Sequence, residues 1–197
     1  MSTPPTPGYS SLLDEAVALA LDAFRPIRRK GTSVPYVTHL LAVTALVGEH
    51  GGDEEQMIAA VLHDYLEDIR AATPALLEER FGERVARIVQ ALSDTTEHPK
   101  PPWQERKRSY IAKLAVEPAE VKLVSAADKL HNARSVLRDL RGVGDAVFER
   151  FNTGGDHKAR TLWYYEAVVE ALGTGWSHPL LEELRETVEG MRRLAGG

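Results

Sequence analysis

Apolar positions along this chain recur at intervals of three and four residues, the period of helices that bury one face. Over residues 10–28, Leu12, Leu13, Ala16, Leu19, Ala20, Ala23 and Phe24 fall on one side and predict a first amphipathic helix. Gly31, Ser33 and Pro35 then break the pattern and mark a loop. A second helix is expected near His39, carrying Leu40, Leu41, Val43, Leu46 and Val47 and stopping at Gly51-Gly52. Asp53 is the expected N-cap of a third, whose stripe is Met57, Ile58, Val61 and Leu62. Thr73-Pro74 opens a short helix, with proline in the first turn where its missing N–H is tolerated. Gly82 separates that helix from residues 83–93, where Val85, Ile88, Val89 and Leu92 repeat at helical spacing. The stretch Thr95–Trp103 holds three prolines and reads as a loop. Further helices are predicted at about 104–115, 118–141, 156–172 and 179–194. No run alternates with period two between turn signals, and no repeat of fixed period appears. The expected fold class is therefore all-α: one compact multi-helix domain over residues 10–197, behind a flexible lead over residues 1–9.

Composition narrows the chemistry. The 197 residues suffice for one domain burying roughly 70% of its unfolded surface. With 24 Lys+Arg against 29 Asp+Glu the net charge is −5, which argues against nonspecific nucleic-acid binding as the main task. The absence of cysteine excludes disulfides, thiolate zinc sites, iron–sulfur clusters and a Cys nucleophile. Any metal must be held by His, Asp and Glu, or by carbonyls and water. No window offers the ~18 uncharged apolar residues of a membrane span, and MSTPPTPGYS does not look like a signal peptide. The expected address is the cytoplasm. A homo-oligomer is compatible with all of this.

The most informative stretch is VLHDYLEDI, residues 61–69. His63 and Glu67 are four apart, as are Asp64 and Asp68, so each pair shares a face if one helix runs through them. Three acids and an imidazole between apolar flanks repel one another, and burial raises the cost. A divalent cation removes both problems. A solvated charged face with one incidental His is the alternative. His39, after PYVTH, opens a helix, and Asp128 lies in SAADKLHNARS. Around Asp128, the residues Ser125, Asn132, Ser135 and Asp139 form a polar stripe of short hydrogen-bonding side chains, better suited to a site wall than to a solvent face. Two His and two carboxylates from separate helices make a borderline ligand set, compatible with Mn²⁺, Fe²⁺, Co²⁺ or Zn²⁺. No GxxxxGK[ST] loop is present, which argues against a P-loop kinase or ATPase.

The ordered set PYVTHLLAV, LHDYLEDI, RFGERVARIV, ERK and ADKLHN resembles the HD-domain metal-dependent phosphohydrolases. More narrowly, it is similar to the hydrolase domain of stringent-response alarmone (ppGpp) synthetase/hydrolases and their small single-domain relatives, from about Ala16 to Leu172. The resemblance implies an HD-domain bundle in which His39, His63, Asp64 and Asp128 hold one divalent metal, commonly manganese. It implies that Glu67 and Asp68 orient or deprotonate the attacking water. It places Arg29 and Lys30 near the base and phosphates of a small phosphorylated nucleotide, Asn132 and Ser135 along ribose and phosphate, and Tyr164 as an aromatic wall. For Arg28, Arg29 and Lys30 the competing reading is a solvated helix end favoured by the macrodipole. Where the family carries His and Gln ahead of the basic pair, this chain has Phe24 and Ile27; Tyr65, Leu66 and Ile69 replace its usual Thr or Val, and the loop from Lys30 to Pro35 is short. The implied reaction is removal of the 3′-pyrophosphate from guanosine tetra- or pentaphosphate. A relative acting on a deoxynucleotide or NADPH, and a nucleotide-sensing module without turnover, are the two alternatives.

Overall fold

The polar-and-apolar stretch around Asp128 becomes the longest helix of the molecule and the element on which the others converge. In the computed structural model, which describes residues 8–95 and 99–196, the helices in chain order are α1 (Ser11–Ala23), α2 (Val37–Glu49), α3 (Glu54–Val61), α4 (Tyr65–Asp68), α5 (Pro74–Phe81), α6 (Glu83–Leu92), α7 (Trp103–Val116), α8 (Ala119–Val143), α9 (His157–Gly173) and α10 (Pro179–Gly196), with a 3₁₀ turn at Gly144–Arg150. No strand occurs among the described residues, and the fold is all-α. Residues 1–7 of the expected lead, and 96–98 of the Thr95–Trp103 loop, lie outside the described residues. No described helix is long and apolar enough to cross a membrane.

Helix α8 packs against α10, α2, α6 and α9. Val121, Val124, Ala127, Leu130 and Ala133 along it are fully buried, and the alanines let neighbouring backbones approach. The caps follow the side chains: Asp53 and Gln56 form a reciprocal capping box at the start of α3. Thr73 caps α5 and Asp156 caps α9. Buried Lys122 has no carboxylate partner among the described residues; its Nζ donates to the carbonyls of Ala115 and Thr174, the last turn of α7 and the residue after α9. His39, His63, Ser125 and Asp128 are among the few buried polar residues of this largely apolar interior.

Three expectations change. The first helix ends at Ala23 rather than 28, because Pro26 has no N–H to donate and disfavours helix at Arg25. The chain turns instead, and Arg28 pairs with Pro35 in an isolated antiparallel bridge. Arg28, Arg29 and Lys30 therefore lie in a closed loop, not on a helix end, and the macrodipole reading falls. Residues 61–69 are not one helix: Leu62, His63 and Asp64 form a turn between α3 and α4, so the shared-face argument for His63 with Glu67 does not apply. The 3₁₀ turn after α8 is not among the expected elements; it opens at Gly144, whose φ of 61° ends the long helix.

Candidate active site

The turn between α3 and α4 aims His63 and Asp64 at the middle of α8. His63 Nδ1–H donates to the Ala60 carbonyl at 2.7 Å, which leaves Nε2 facing inward. His39, in the first turn of α2, brings its Nε2 to 3.2 Å from Asp128 Oδ1. Ligand atoms of His39, His63 and Asp128 all lie within 4.8 Å of one another. Asp64 flanks them, with Oδ2 3.0 Å from His63 Nε2 and 3.8 Å from His39 Nε2. Both Nε2 atoms are buried and make no hydrogen bond to any described residue, although carboxylate oxygens stand at contact distance. Lone pairs and carboxylates converging on one point without pairing is the arrangement a divalent cation satisfies, and the donor set fits one.

Charge distribution agrees. Against the cost of burial, the positive charge of a protonated His63 ring holds Asp64 well below the ordinary carboxylate range, a charge that a bound cation would supply in its place. Asp128 is likewise held down despite burial, first by Lys129 and then by both histidines. Both acids are therefore ionised ligand candidates. Their outer contacts fix them in place: Tyr36 Oη donates to Asp64 at 2.6 Å, and Lys129 and Asn132 donate to Asp128.

Glu67 and Asp68, on α4, behave differently. Burial, then the charges of Asp94 and Asp64, raises Glu67. Burial, Asp64 and Glu67 push Asp68 up to about 6. Lys100 reaches both, at 2.8 Å from Glu67 and 3.6 Å from Asp68. Two carboxyls moved toward neutrality thus stand beside two held ionised, a separation of environments within one cluster.

Beside the cluster opens a cavity of about 560 Å³. Arg29, Lys30, Asn132, Ser135 and Tyr164 all line it. Tyr36 and Asn132 belong to its wall and also bond Asp64 and Asp128, so cavity and cluster share residues. Arg29 donates to Asn132 at 2.9 Å across the opening. Lys107, Arg138 and Arg150 add positive charge, and Asp139 is the acid among the described lining residues. Tyr164 Oη is buried and has no hydrogen-bond partner among the described residues. The short loop fits because Gly31 adopts φ 70° and a side chain there would strike Arg150 at 2.8 Å. Phe24, in place of the family's polar residue, is buried and stacks on Tyr36 at 5.4 Å.

Sequence reasoning missed Tyr36, Lys100, Lys107, His131 and Arg150. Tyr36 stands in PYVTH and Lys107 in ERK, motifs already singled out, whereas nothing local marks Lys100 or Arg150.

The sequence matches the HD domain model over residues 16–151. It is 36% identical over 132 residues to the guanosine-3′,5′-bis(diphosphate) 3′-pyrophosphohydrolase MESH1 of Danio rerio, covering 66% of this chain and 71% of that protein. The guanosine-3′,5′-bis(diphosphate) 3′-pyrophosphohydrolase of Aquifex aeolicus (strain VF5) is 34% identical over 131 residues, 66% of this chain and 18% of its own length. Among solved structures, a metazoan ortholog of SpoT that hydrolyzes ppGpp superposes with a TM-score of 0.72 at 28% identity, over 95% of this chain and 97% of that one. A Listeria monocytogenes EGD-e protein superposes with a TM-score of 0.67 at 30% identity, over 77% and 96%. His39, His63, Asp64 and Asp128 all fall inside the matched stretch, and the chain belongs to the HD-domain family.

Proposed function

We propose that this chain is a divalent-metal-dependent phosphohydrolase that removes the 3′-pyrophosphate of guanosine tetra- or pentaphosphate, leaving GDP or GTP. The observation that carries the reading is the shared wall: a cavity rich in Arg and Lys opens directly beside a cluster of three buried ligand candidates, His39, His63 and Asp128, flanked by half-buried Asp64. The similarity to guanosine pyrophosphohydrolases supports the choice of nucleotide. In this reading His39, His63, Asp64 and Asp128 hold the cation, with Mn²⁺ expected and Fe²⁺, Co²⁺ or Zn²⁺ compatible with the same donors. A cation bound there acidifies a water and polarises a phosphoryl oxygen. Asp68, with Glu67 beside it, takes the proton of the attacking water. The water oxygen bonds to the phosphorus, the ribose 3′-oxygen–phosphorus bond breaks, and the 3′-oxygen gains a proton. Arg29 and Lys30 hold the phosphates, Asn132 and Ser135 the ribose side, and the Tyr164 ring a wall of the pocket. A small diffusible nucleotide as partner fits a cytoplasmic address.

Charge in the pocket gives one expectation. Replacing Arg29 and Lys30 together with Ala is expected to raise KM roughly 10–100-fold, the scale of one or two charge-assisted hydrogen bonds. The same change is expected to shift kcat by less than about 3-fold, because those contacts already exist in the ground state. Steady-state kinetics checks it; a fall in kcat at unchanged KM contradicts it.

The acid limb gives another. The carboxylate form of Asp68 accepts the proton, so activity is present above its pKa and lost as pH falls through it. With the carboxyl at about 6, and a neighbouring cation favouring the ionised form, kcat/KM is expected to fall with an acid midpoint at or below about 6. The residual activity of Asp68→Asn is expected to lose that limb; the same midpoint in the variant contradicts the role.

The direct test is a turnover panel with Mn²⁺ present: guanosine tetraphosphate, deoxynucleotides and NADPH. Turnover of the guanosine compound well above the others is expected. Background turnover of it beside clear turnover of another phosphate overturns the substrate, and tight binding without turnover of any overturns the enzyme.

A further inference from the structure

His131 lies on α8 less than one turn beyond Asp128, and its Nδ1 sits 2.8 Å from Nδ1 of His39. Two ring nitrogens at that distance share one proton: one donates and the other accepts. His39 turns its other nitrogen, Nε2, toward Asp128 and the cluster, where a lone pair is needed. Its proton is then on Nδ1, and His131 Nδ1 is the acceptor. The same logic fixes the proton of His131 on its own Nε2, and that ring lines the nucleotide cavity. The two imidazoles of the cluster are thus oriented by different acceptors. His63 uses the Ala60 carbonyl, which can only accept, whereas His39 depends on a side chain.

We propose that His131 is a positioning residue that fixes the tautomer and ring plane of His39 for metal binding, and that it thereby presents an Nε2–H donor to the bound nucleotide. The inference rests on the metal reading above and assigns His131 a place between the two halves of the site. A merely structural role, one ring filling space between α2 and α8, is the competing account, with the rings 4.8 Å apart and inclined at 35°.

The two accounts separate through His131→Asn, whose amide oxygen can stand near the Nδ1 position while nothing stands at Nε2. Calorimetric titration of the metal-free protein with Mn²⁺ reads the first half. Affinity is expected to drop 10–100-fold in His131→Ala, the usual effect of removing an outer partner of a ligand. It is expected to stay within about 3-fold of the unaltered protein in His131→Asn. Kinetics at saturating Mn²⁺ reads the second half: both variants are expected to raise KM by roughly 3–10-fold, the value of one hydrogen bond. His131→Ala binding as tightly as the unaltered protein, or His131→Asn binding as weakly as His131→Ala, overturns the positioning role. An unchanged KM in both overturns the donor. An unaltered protein that takes up no Mn²⁺ overturns the metal reading itself, an outcome distinct from failure of His131 alone.

Discussion

Asp128→Ala is expected to abolish divalent-metal binding and turnover in one step, with activity falling to background. Asp128 sits on the central helix within 4.8 Å of both imidazoles, and it also accepts from Lys129 and Asn132. Its removal takes away a proposed ligand and leaves the largely buried Lys129 ammonium without its carboxylate. Breaking a buried pair from one side costs about 3–5 kcal/mol, so the melting temperature is expected to fall as well. Asp64→Ala is the cleaner companion, because the groups it leaves behind are the Tyr36 hydroxyl and the two imidazoles. It is expected to lose metal and activity with a smaller loss of stability. Mn²⁺ titration, kinetics and thermal melts on the same preparations check both; a variant that keeps Mn²⁺ at the original affinity contradicts the ligand assignment.

Glu67→Gln and Asp68→Asn should behave in the opposite way, keeping Mn²⁺ and losing turnover by roughly 10²–10⁴-fold, the range for general acid–base groups. Both side chains are uncharged near-isosteres, so Lys100 loses its ion pair but the space stays filled. Of the two, Asp68→Asn is expected to lose more, since Glu67 is tied to Lys100 by a 2.8 Å hydrogen bond while the Asp68 carboxylate stands 3.6 Å from it and is freer to take a proton. Equal loss of metal in the α4 variants and the Asp64 and Asp128 variants would show that the cluster acts as one unit, contrary to the division proposed.

The helices were legible because each needs only local information: a stripe at helical period, a cap such as Asp53 or Thr73, a stop at Gly51-Gly52 or Gly82. The break at Leu62–Asp64 was not, because the apolar period runs on through Leu62 and Leu66 whether or not the helix does. His63 and Asp64 were still found, since adjacency in sequence marks them in either geometry. The wall of the cavity resisted reading for a different reason. Arg29 meets Asn132 across 103 positions and His39 meets His131 across 92, and no periodicity carries such pairings. Arg150 belongs to a 3₁₀ turn whose short run leaves no stripe, so its approach to Gly31 appears only in three dimensions.

Product analysis of guanosine tetraphosphate hydrolysis tests the central claim most directly. The purified protein is incubated with the nucleotide and Mn²⁺, and phosphorus-containing products are resolved by ³¹P NMR over the time course. The cluster and cavity described here predict GDP and intact pyrophosphate appearing together in equal amounts, with the same result abolished in Asp128→Ala. Orthophosphate released stepwise, or an unchanged nucleotide beside active hydrolysis of NADPH or a deoxynucleotide, would contradict it.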